Sequence, residues 1–264
     1  MGVDVPLRGD RPEAYDPALT VDGTGPAVVL VPGMDGTGQL FYRQTPGLAR
    51  VGRVATYALR NEATRMDVLV ADLGRVIDIV APVERQVVLV GESFGGTLAL
   101  SFAIARPERV RALVILNSFA HFAPQFRLRL AVYGLSVMPW GAMSSVRRLT
   151  AFRLHSPHTH REELHRFMEL TARTSREGYI NRLKILMEYD VRDRLPEIRC
   201  PTLFLASELD HLVPSLDQAR DMAARVPGAV VRVLAGHGHI CLIAPDVDLA
   251  EILGEWGGAE LGGA

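Results

Sequence analysis

The amino-acid sequence predicts an α/β fold with a doubly wound, mainly parallel sheet and a helical cap insertion. Short apolar runs rich in valine, leucine and isoleucine alternate with segments in which apolar residues recur at helical spacing. This alternation is typical of βαβ units, whose strands are parallel and whose crossovers are right-handed. The run QVVLVG (86–91) carries no polar face, as expected of a sheet that helices cover on both sides.

Each predicted element follows from its own pattern. Short apolar runs bounded by turn residues are predicted as strands: AVVLVP (27–32), RVATYAL (53–59), QVVLVG (86–91), VRALVILN (110–117), PTLFLAS (201–207) and AVVRVLAG (229–236). Longer segments with helical periodicity are predicted as helices: 66–83, which ends near Pro82, 97–107, which ends at Pro107, and 248–256.

One long segment lacks any convincing strand pattern. From Ser118 to about Pro196 the sequence shows only helical patterns, so we expect a helical insertion between two strands. We therefore assign residues 1–117 and 197–264 to the α/β core and residues 118–196 to a cap. Apolar side chains of the cap can line a substrate pocket or form the cap's own core, and we expect most to do the latter: Phe119, Phe122, Phe126, Tyr133, Val137, Met138, Trp140 and Met143.

Composition and charge narrow the functional classes. A net charge of −1 over 264 residues gives no basis for electrostatic capture of nucleic acid or an anionic membrane. Neither Cys200 nor Cys241 lies in a metal-ligand spacing, and no disulfide framework is implied. The N-terminus lacks a signal-peptide pattern, and no apolar run is long enough to cross a bilayer. We therefore expect a cytoplasmic protein without stable membrane insertion, and homo-oligomer formation stays open.

The stretch VVLVGESFGGTLAL (87–100) places a serine at the junction of a buried strand and a helix. Its Gly-Glu-Ser-Phe-Gly core is the nucleophile-elbow pattern, in which glycines two residues before and after the serine permit a very tight turn. Such a turn exposes the Ser93 hydroxyl above the sheet edge and leaves the N–H of Phe94 at a helix N-terminus, where negative charge is favoured. We therefore predict Ser93 as a nucleophile and Phe94 as an oxyanion donor.

A serine of this kind needs an acid and a histidine after later strands, in that order. The strand PTLFLAS is followed by a polar turn that carries Glu208 and Asp210, and Asp210 lies where the acid is expected. The last strand is followed by two candidates for the histidine, His237 and His239. A histidine here would accept the serine proton through Nε2 while the carboxylate fixes its tautomer through Nδ1.

A second oxyanion donor is expected from the glycine-rich loop after the first predicted strand, VPGMDGTGQLF (31–41). Pro32-Gly33-Met34 takes the place often filled by His-Gly-x, so the N–H of Met34 is the predicted donor. Two converging amides would stabilise a tetrahedral oxyanion, each by about 3 kcal/mol.

These motifs, in this order, resemble those of the α/β-hydrolase-fold serine hydrolases over nearly the whole chain: VPGMDGTG, LVGESFGG, CPTLFLASELDHLVPS and GHGHICLIAPD. More narrowly, LVGESFGGTLAL, the PGMDG loop and ASELDHLVPS are similar to the hydrolase portion of the plant phytyl ester synthases. Those plant proteins also carry an acyltransferase-like region, for which this chain has no room. The resemblance favours His239, because family members place the catalytic histidine in Gly-His before an apolar stretch; His237 is then a loop residue near the site.

The resemblance implies a hydrolase of carboxylic esters, with thioesters as a second class, acting through Ser93, His239 and Asp210. The expected substrate is a small molecule with an apolar part, and neither a cofactor nor a metal is implied. Acyl transfer to a lipid alcohol is an enzymatic alternative. A ligand-binding sensor on a hydrolase scaffold is an alternative of a different class.

A basic, histidine-rich run lies in the predicted cap. A metal site is conceivable there, but Pro157 interrupts the histidines and no acidic ligand is clearly paired with them. We favour a solvated face of the cap, with binding of an anionic substrate group as a minor alternative. The run comprises Arg153, His155, His158, His160, Arg161, His165 and Arg166.

Overall fold

A seven-stranded sheet forms the centre of the computed structural model, which describes residues 18–81, 86–122, 125–137 and 154–257. Its strands, in chain order, are β1 (Thr20–Asp22), β2 (Ala27–Val31), β3 (Arg53–Thr56), β4 (Val87–Glu92), β5 (Val110–Leu116), β6 (Thr202–Ser207) and β7 (Val230–Leu234). They lie in the order β1-β3-β2-β4-β5-β6-β7. All neighbouring pairs are parallel except β1 and β3. The predicted fold class, a doubly wound and mainly parallel sheet, is confirmed.

Helices connect and cover these strands. They are α1 (Thr45–Leu48), α2 (Met66–Val80), α3 (Phe94–Ala105), α4 (Gln125–Val137), α5 (Arg161–Thr171), α6 (Arg176–Glu188), α7 (Ser215–Ala223) and α8 (Leu249–Gly257). Short 3-10 helices lie at Gln39–Phe41, Pro107–Arg109 and Arg192–Glu197. Helices α4, α5 and α6 lie between β5 and β6 in the chain, within the range 118–196 that the sequence predicts as a cap. The division into core and cap stays a prediction.

Three differences from the predicted elements are informative. Strand β1 was not predicted, because it has three residues, all exposed, and so carries no apolar run. Helix α7 was also not predicted. Helix α3 begins at Phe94 rather than at residue 97, because the glycines after Ser93 form its first turn instead of a loop. Among the described helices, none has the length and apolarity needed to cross a membrane.

The two faces of the sheet pack against different helices. On one face, Val29 lies in an apolar core with Leu73 of α2 and Leu98 of α3. On the other face, Val28 packs in a second core with Leu253 of α8. Because successive residues of a strand point to opposite faces, both faces of β2 must be apolar.

The strand register brings the C-terminal ends of β2, β4 and β5 to one edge of the sheet. Gly91 of β4 pairs with Val31 of β2 on one side and with Ile115 of β5 on the other. Residues that directly follow these strands therefore meet at this edge, where open α/β sheets bind ligands.

The N-terminus of α3 packs directly against the backbone at this edge. A Cβ atom added to Gly95 would lie 2.1 Å from the carbonyl oxygen of Val31, and one added to Gly91 would lie 2.4 Å from the carbonyl oxygen of Gly95. Backbone atoms cannot move aside as a flexible side chain can. Both glycines of the Gly-x-Ser-x-Gly pattern are therefore required by close approach between helix and strand.

We expect Gly95→Ala to lower the free energy of unfolding by about 3 kcal/mol or more, because its methyl group overlaps the Val31 carbonyl. The matched control is Gly254→Ala in α8, where an added Cβ meets nothing within 4 Å. This control should leave stability unchanged or raise it by about 0.5–1 kcal/mol, since alanine is the better helix former. Urea denaturation of both variants measures the difference, and equal stabilities would contradict the close approach.

Candidate active site

Ser93 stands between β4 and α3 in an unusual backbone conformation. Its φ is 54° and its ψ is −119°, a combination that L side chains rarely adopt. Hydrogen bonds hold the turn: the N–H of Ser93 donates to the Leu116 carbonyl at 2.9 Å, and the Ser118 hydroxyl donates to the Ser93 carbonyl at 2.7 Å. Strained residues persist where surrounding contacts over-determine them, and they cluster at functional sites.

The structure brings Ser93, His239 and Asp210 together in one chain of contacts. Nε2 of His239 lies 3.1 Å from the Ser93 hydroxyl oxygen, and Nδ1 of His239 lies 2.7 Å from Oδ2 of Asp210. The side chains of His239 and Asp210 are almost fully buried. At these distances a histidine can take the proton of a serine while a carboxylate orients the imidazole.

Asp210 is held by the turn that it begins. Its Oδ1 accepts the backbone N–H groups of Leu212 at 2.9 Å and Val213 at 3.0 Å. Its Oδ2 also accepts the hydroxyl of Ser215, the first residue of α7. An aspartate that accepts bonds from the following backbone is a common turn former, and here the same turn aims Oδ2 at His239.

Asp210 and His239 shift each other's pKa. Burial alone would raise the pKa of Asp210, but the hydrogen bond and charge of His239, with the Ser215 hydroxyl and the Val213 N–H, lower it. Burial alone would lower the pKa of His239, but the hydrogen bond and charge of Asp210, with a smaller contribution from Glu92, raise it above its ordinary value. The pair is therefore arranged to stabilise an imidazolium next to Ser93.

The other histidine and the other acid from the same two loops, His237 and Glu208, contact different groups. The ring of His237 contacts the Ser156 hydroxyl through Nδ1 at 2.9 Å. Glu208 accepts the backbone N–H of Gly236 at 2.8 Å. Of the two histidines that the motif left open, His239 is the one in contact with both Ser93 and Asp210.

The predicted oxyanion donors lie at the same edge of the sheet. Phe94 is the first residue of α3, so its N–H is one of the donors that a helix leaves without an intrahelical partner. Met34 lies in a turn after β2 in which the N–H of Gly36 donates to the Gly33 carbonyl at 3.1 Å. A Cβ added to Gly33 would lie 2.5 Å from Oε2 of Glu92, so this loop packs against the end of β4.

Arg182 of α6, which the motifs did not single out, holds the same loop from the other side. Its Nε donates to the Met34 carbonyl at 3.0 Å and its Nη2 donates to the Asp35 carbonyl at 3.3 Å. The side chain is buried, and burial lowers its pKa to about 10, so it stays charged at neutral pH. Gly36 has a φ of +70°, and a Cβ there would lie 2.6 Å from the guanidinium.

Asn117 is a second residue that sequence reasoning missed. It lies directly after β5 with a φ of 47°, and its Nδ2 donates to the Ser207 hydroxyl and to the His239 carbonyl, both at 2.9 Å. Its Oδ1 accepts the N–H of Ser207 at 2.8 Å. This one amide therefore joins the ends of two strands to the loop that carries His239. A polar residue that ends the run VRALVIL was the only signal in the sequence.

The predicted cap residues occupy different surroundings. Phe119 is buried and makes an edge-to-face contact with Phe122 at 5.0 Å, and both line a cleft of about 270 Å³ that also includes Asp210. The side chains of Phe126, Tyr133 and Val137 are exposed. Met138, Trp140 and Met143, and Arg153 of the basic run, lie outside the described residues. Most of the remaining basic run is exposed: His158, His160, Arg161, His165 and Arg166.

Glu92, the residue before Ser93, is a second carboxyl group at the site. Burial, with the nearby charges of Asp35 and Asp210, raises its pKa to about 7, and the charge of His239 opposes this shift. Glu92 therefore exchanges its proton near neutral pH, whereas Asp210 stays ionised. Pairs of carboxyl groups with separated pKa values are typical of sites that move protons.

The raised pKa of Glu92 predicts a specific effect on stability. Between pH 4.5 and about 7 the folded protein keeps a proton on Glu92 that the unfolded chain has lost, so stability falls as pH rises through this window. Glu92→Gln removes this effect, so its stability relative to wild type should increase over the window by about 1–3 kcal/mol. Urea denaturation at a series of pH values measures this difference. A flat or opposite trend in Glu92→Gln would contradict the assignment.

Comparison with known proteins agrees with this fold. The model of the alpha/beta hydrolase family matches residues 28–252. Two curated relatives, both named as a carbamate hydrolase, RutD, come from Azorhizobium caulinodans and a Caulobacter strain. The first is 28% identical and the second 29% identical; each alignment covers 89% of this chain, with 92% and 96% of the respective relative. The narrower resemblance to plant phytyl ester synthases stays a hypothesis, since these relatives carry a different name.

A solved structure with the same fold supports this match. A thermophilic esterase from Thermogutta terrifontis superposes with a TM-score of 0.80 and 23% identity, over 91% of this chain and 92% of that chain. The family match runs from Val28 of β2 through the other parallel strands and includes the Ser93, Asp210 and His239 positions. The chain belongs to the alpha/beta hydrolase family.

Proposed function

We propose that this protein is a serine hydrolase that cleaves carboxylic esters through an acyl-enzyme intermediate. The observation that carries the proposal is the contact series from the Ser93 hydroxyl through His239 to Asp210. If His239 and Asp210 had no joint role, there would be no reason for both side chains to be buried at hydrogen-bonding distance beside a serine with a strained backbone. Family membership supports hydrolysis, and the ester as substrate is our inference.

Acylation begins with proton transfer from Ser93 to Nε2 of His239, as the serine oxygen attacks the carbonyl carbon of the ester. The negative charge that develops on the carbonyl oxygen is stabilised by the N–H groups of Met34 and Phe94. Asp210 holds Nδ1 and favours the imidazolium that forms, consistent with the raised pKa of His239. His239 then donates its proton to the leaving alcohol, and the acyl group stays on Ser93.

Deacylation repeats these steps with water. His239 takes a proton from water, the resulting hydroxide attacks the acyl carbon, and the proton returns to the Ser93 oxygen as the acid leaves. No cofactor takes part in this cycle. A thioester or a carbamate can follow the same path, because each offers an acyl carbon and a leaving group to the same nucleophile.

A carbamate is the second candidate substrate, because the two curated relatives described above are named for this activity. A carbamate differs from an ester by a nitrogen on the acyl carbon, whose lone pair makes that carbon less electrophilic. The same triad would have to overcome a higher barrier. Substrate choice then depends on the surroundings of Ser93, including the cleft beside Asp210.

We expect Ser93→Ala to lower kcat/KM for p-nitrophenyl acetate by more than about a thousand-fold, because no nucleophile remains. The variant should also lose labelling by a fluorophosphonate probe. Ser136→Ala is the matched control, since this serine is exposed on α4, and it should keep both properties. Unchanged hydrolysis in Ser93→Ala would rule out the mechanism.

A substrate panel distinguishes the candidates. We expect kcat/KM for short p-nitrophenyl esters to exceed that for p-nitrophenyl carbamate by at least about tenfold, a barrier difference of about 1.4 kcal/mol. The Ser93→Ala variant supplies the blank for both substrates. The reverse order would favour a carbamate hydrolase. Transfer of the acyl group to an added long-chain alcohol in preference to water would favour an acyltransferase, and tight binding without turnover would favour a sensor.

A further inference from the structure

Three short turns bring two imidazoles and one carboxylate together beside the Ser93 site. His158 lies in a turn closed by a hydrogen bond from the Thr159 N–H to the Ser156 carbonyl at 2.9 Å. His237 lies in the loop after β7, and Asp246 lies shortly before α8. We propose that His158, His237 and Asp246 bind one divalent transition-metal ion, of which zinc fits best.

The distances between the three donor atoms are near those of a metal site. Oδ2 of Asp246 lies 2.9 Å from Nε2 of His158 and 3.5 Å from Nε2 of His237. The three ligand atoms all lie within 4.8 Å of one another. Ligand atoms at about 2.0–2.1 Å from a tetrahedral zinc ion lie about 3.3 Å apart. The two distances from Asp246 lie on either side of this value, so the three donor atoms are already close to the spacing of zinc ligands.

A hydrogen bond outside the cluster orients one of its ligands. The hydroxyl oxygen of Ser156 lies 2.9 Å from Nδ1 of His237 and also accepts the N–H of Gly238 at 3.3 Å. Both Ser156 and His237 are buried, so the ring is held with Nε2 directed at Asp246. Metal-binding histidines characteristically use their second ring nitrogen in such a contact, which fixes the tautomer and the ring plane.

The other two ligands leave an open side. The side chains of His158 and Asp246 are 41% and 54% exposed, so an ion can enter from solvent and take water as its fourth ligand. Two imidazoles and one carboxylate favour zinc, cobalt, nickel or copper over magnesium and calcium, which prefer oxygen ligands alone. Neither His158 nor Asp246 has a part in the proposed hydrolysis, so the site is separate from the triad.

The bound ion would fasten the loop that carries His239. The N–H of Ile240 donates to the Leu154 carbonyl at 2.8 Å, and His155 forms a β-bridge with Ile240. The metal ligands lie on both sides of this contact, at His158 in one segment and at His237 in the other. Metal binding should therefore stabilise the folded protein by mass action.

The test is titration of untagged, chelator-treated protein with zinc chloride by calorimetry, followed by the visible absorption of the cobalt(II) form. Wild type should bind one ion per chain, and the cobalt spectrum should show the intense bands of tetrahedral coordination. His158→Ala and Asp246→Asn should each weaken binding at least about tenfold. Both substituted side chains are substantially exposed, so folding should be retained, which metal-free melting curves check.

His165→Ala is the matched control, because His165 is an exposed histidine on α5 outside the cluster, and it should bind zinc as wild type does. Zinc should also raise the melting temperature of wild type and of this control, but not of the two cluster variants. Absence of saturable binding up to about 1 mM zinc would overturn the proposal. Binding that His158→Ala and Asp246→Asn leave unchanged would overturn it as well, because the ion would then lie elsewhere.

Discussion

The close approach of α3 to the ends of β2 and β4 is the constraint on which the rest of the site depends. With Gly95 against the Val31 carbonyl and Gly91 against the Gly95 carbonyl, the chain between strand and helix has almost no freedom. Ser93 must take a φ of 54°, a strain on the order of 1–3 kcal/mol. Its hydrogen bonds to Leu116 and Ser118 offset that strain. The hydroxyl position is thus fixed by backbone packing, and the other groups are arranged around it.

The two carboxyl groups of the site, those of Asp210 and Glu92, have pKa values shifted in opposite directions. Asp210 receives hydrogen bonds from His239, Ser215 and two backbone amides, and its pKa falls in spite of burial. Burial dominates at Glu92, one residue before Ser93, and its pKa rises. One carboxyl group therefore supplies a permanent negative charge to the imidazole, while the other adds charge only as pH rises. Local hydrogen bonding decides which behaviour each carboxyl group has.

The parallel strands could be predicted because each is a short apolar run, and Ser93, Asp210 and His239 because motif order follows strand order. The structure brings these three together, while their chemical roles remain proposals. Asn117 and Arg182 were missed because they act through partners 90 and 148 positions away, respectively, which no periodicity reveals. The sequence likewise could not pair His158 with an acid, since its partner Asp246 follows two further strands along the chain.

The buried guanidinium of Arg182 has a mechanical consequence. It belongs to α6, within the helical insertion, yet it holds the carbonyl groups of Met34 and Asp35 in the loop after β2. A movement of α6 away from the sheet would break these hydrogen bonds and release the loop that presents the Met34 N–H. The conformation of this loop therefore depends on where α6 lies, although the two are 148 positions apart in the chain. A substitution that shifts α6 would change the geometry beside Ser93 without altering any residue of the loop itself.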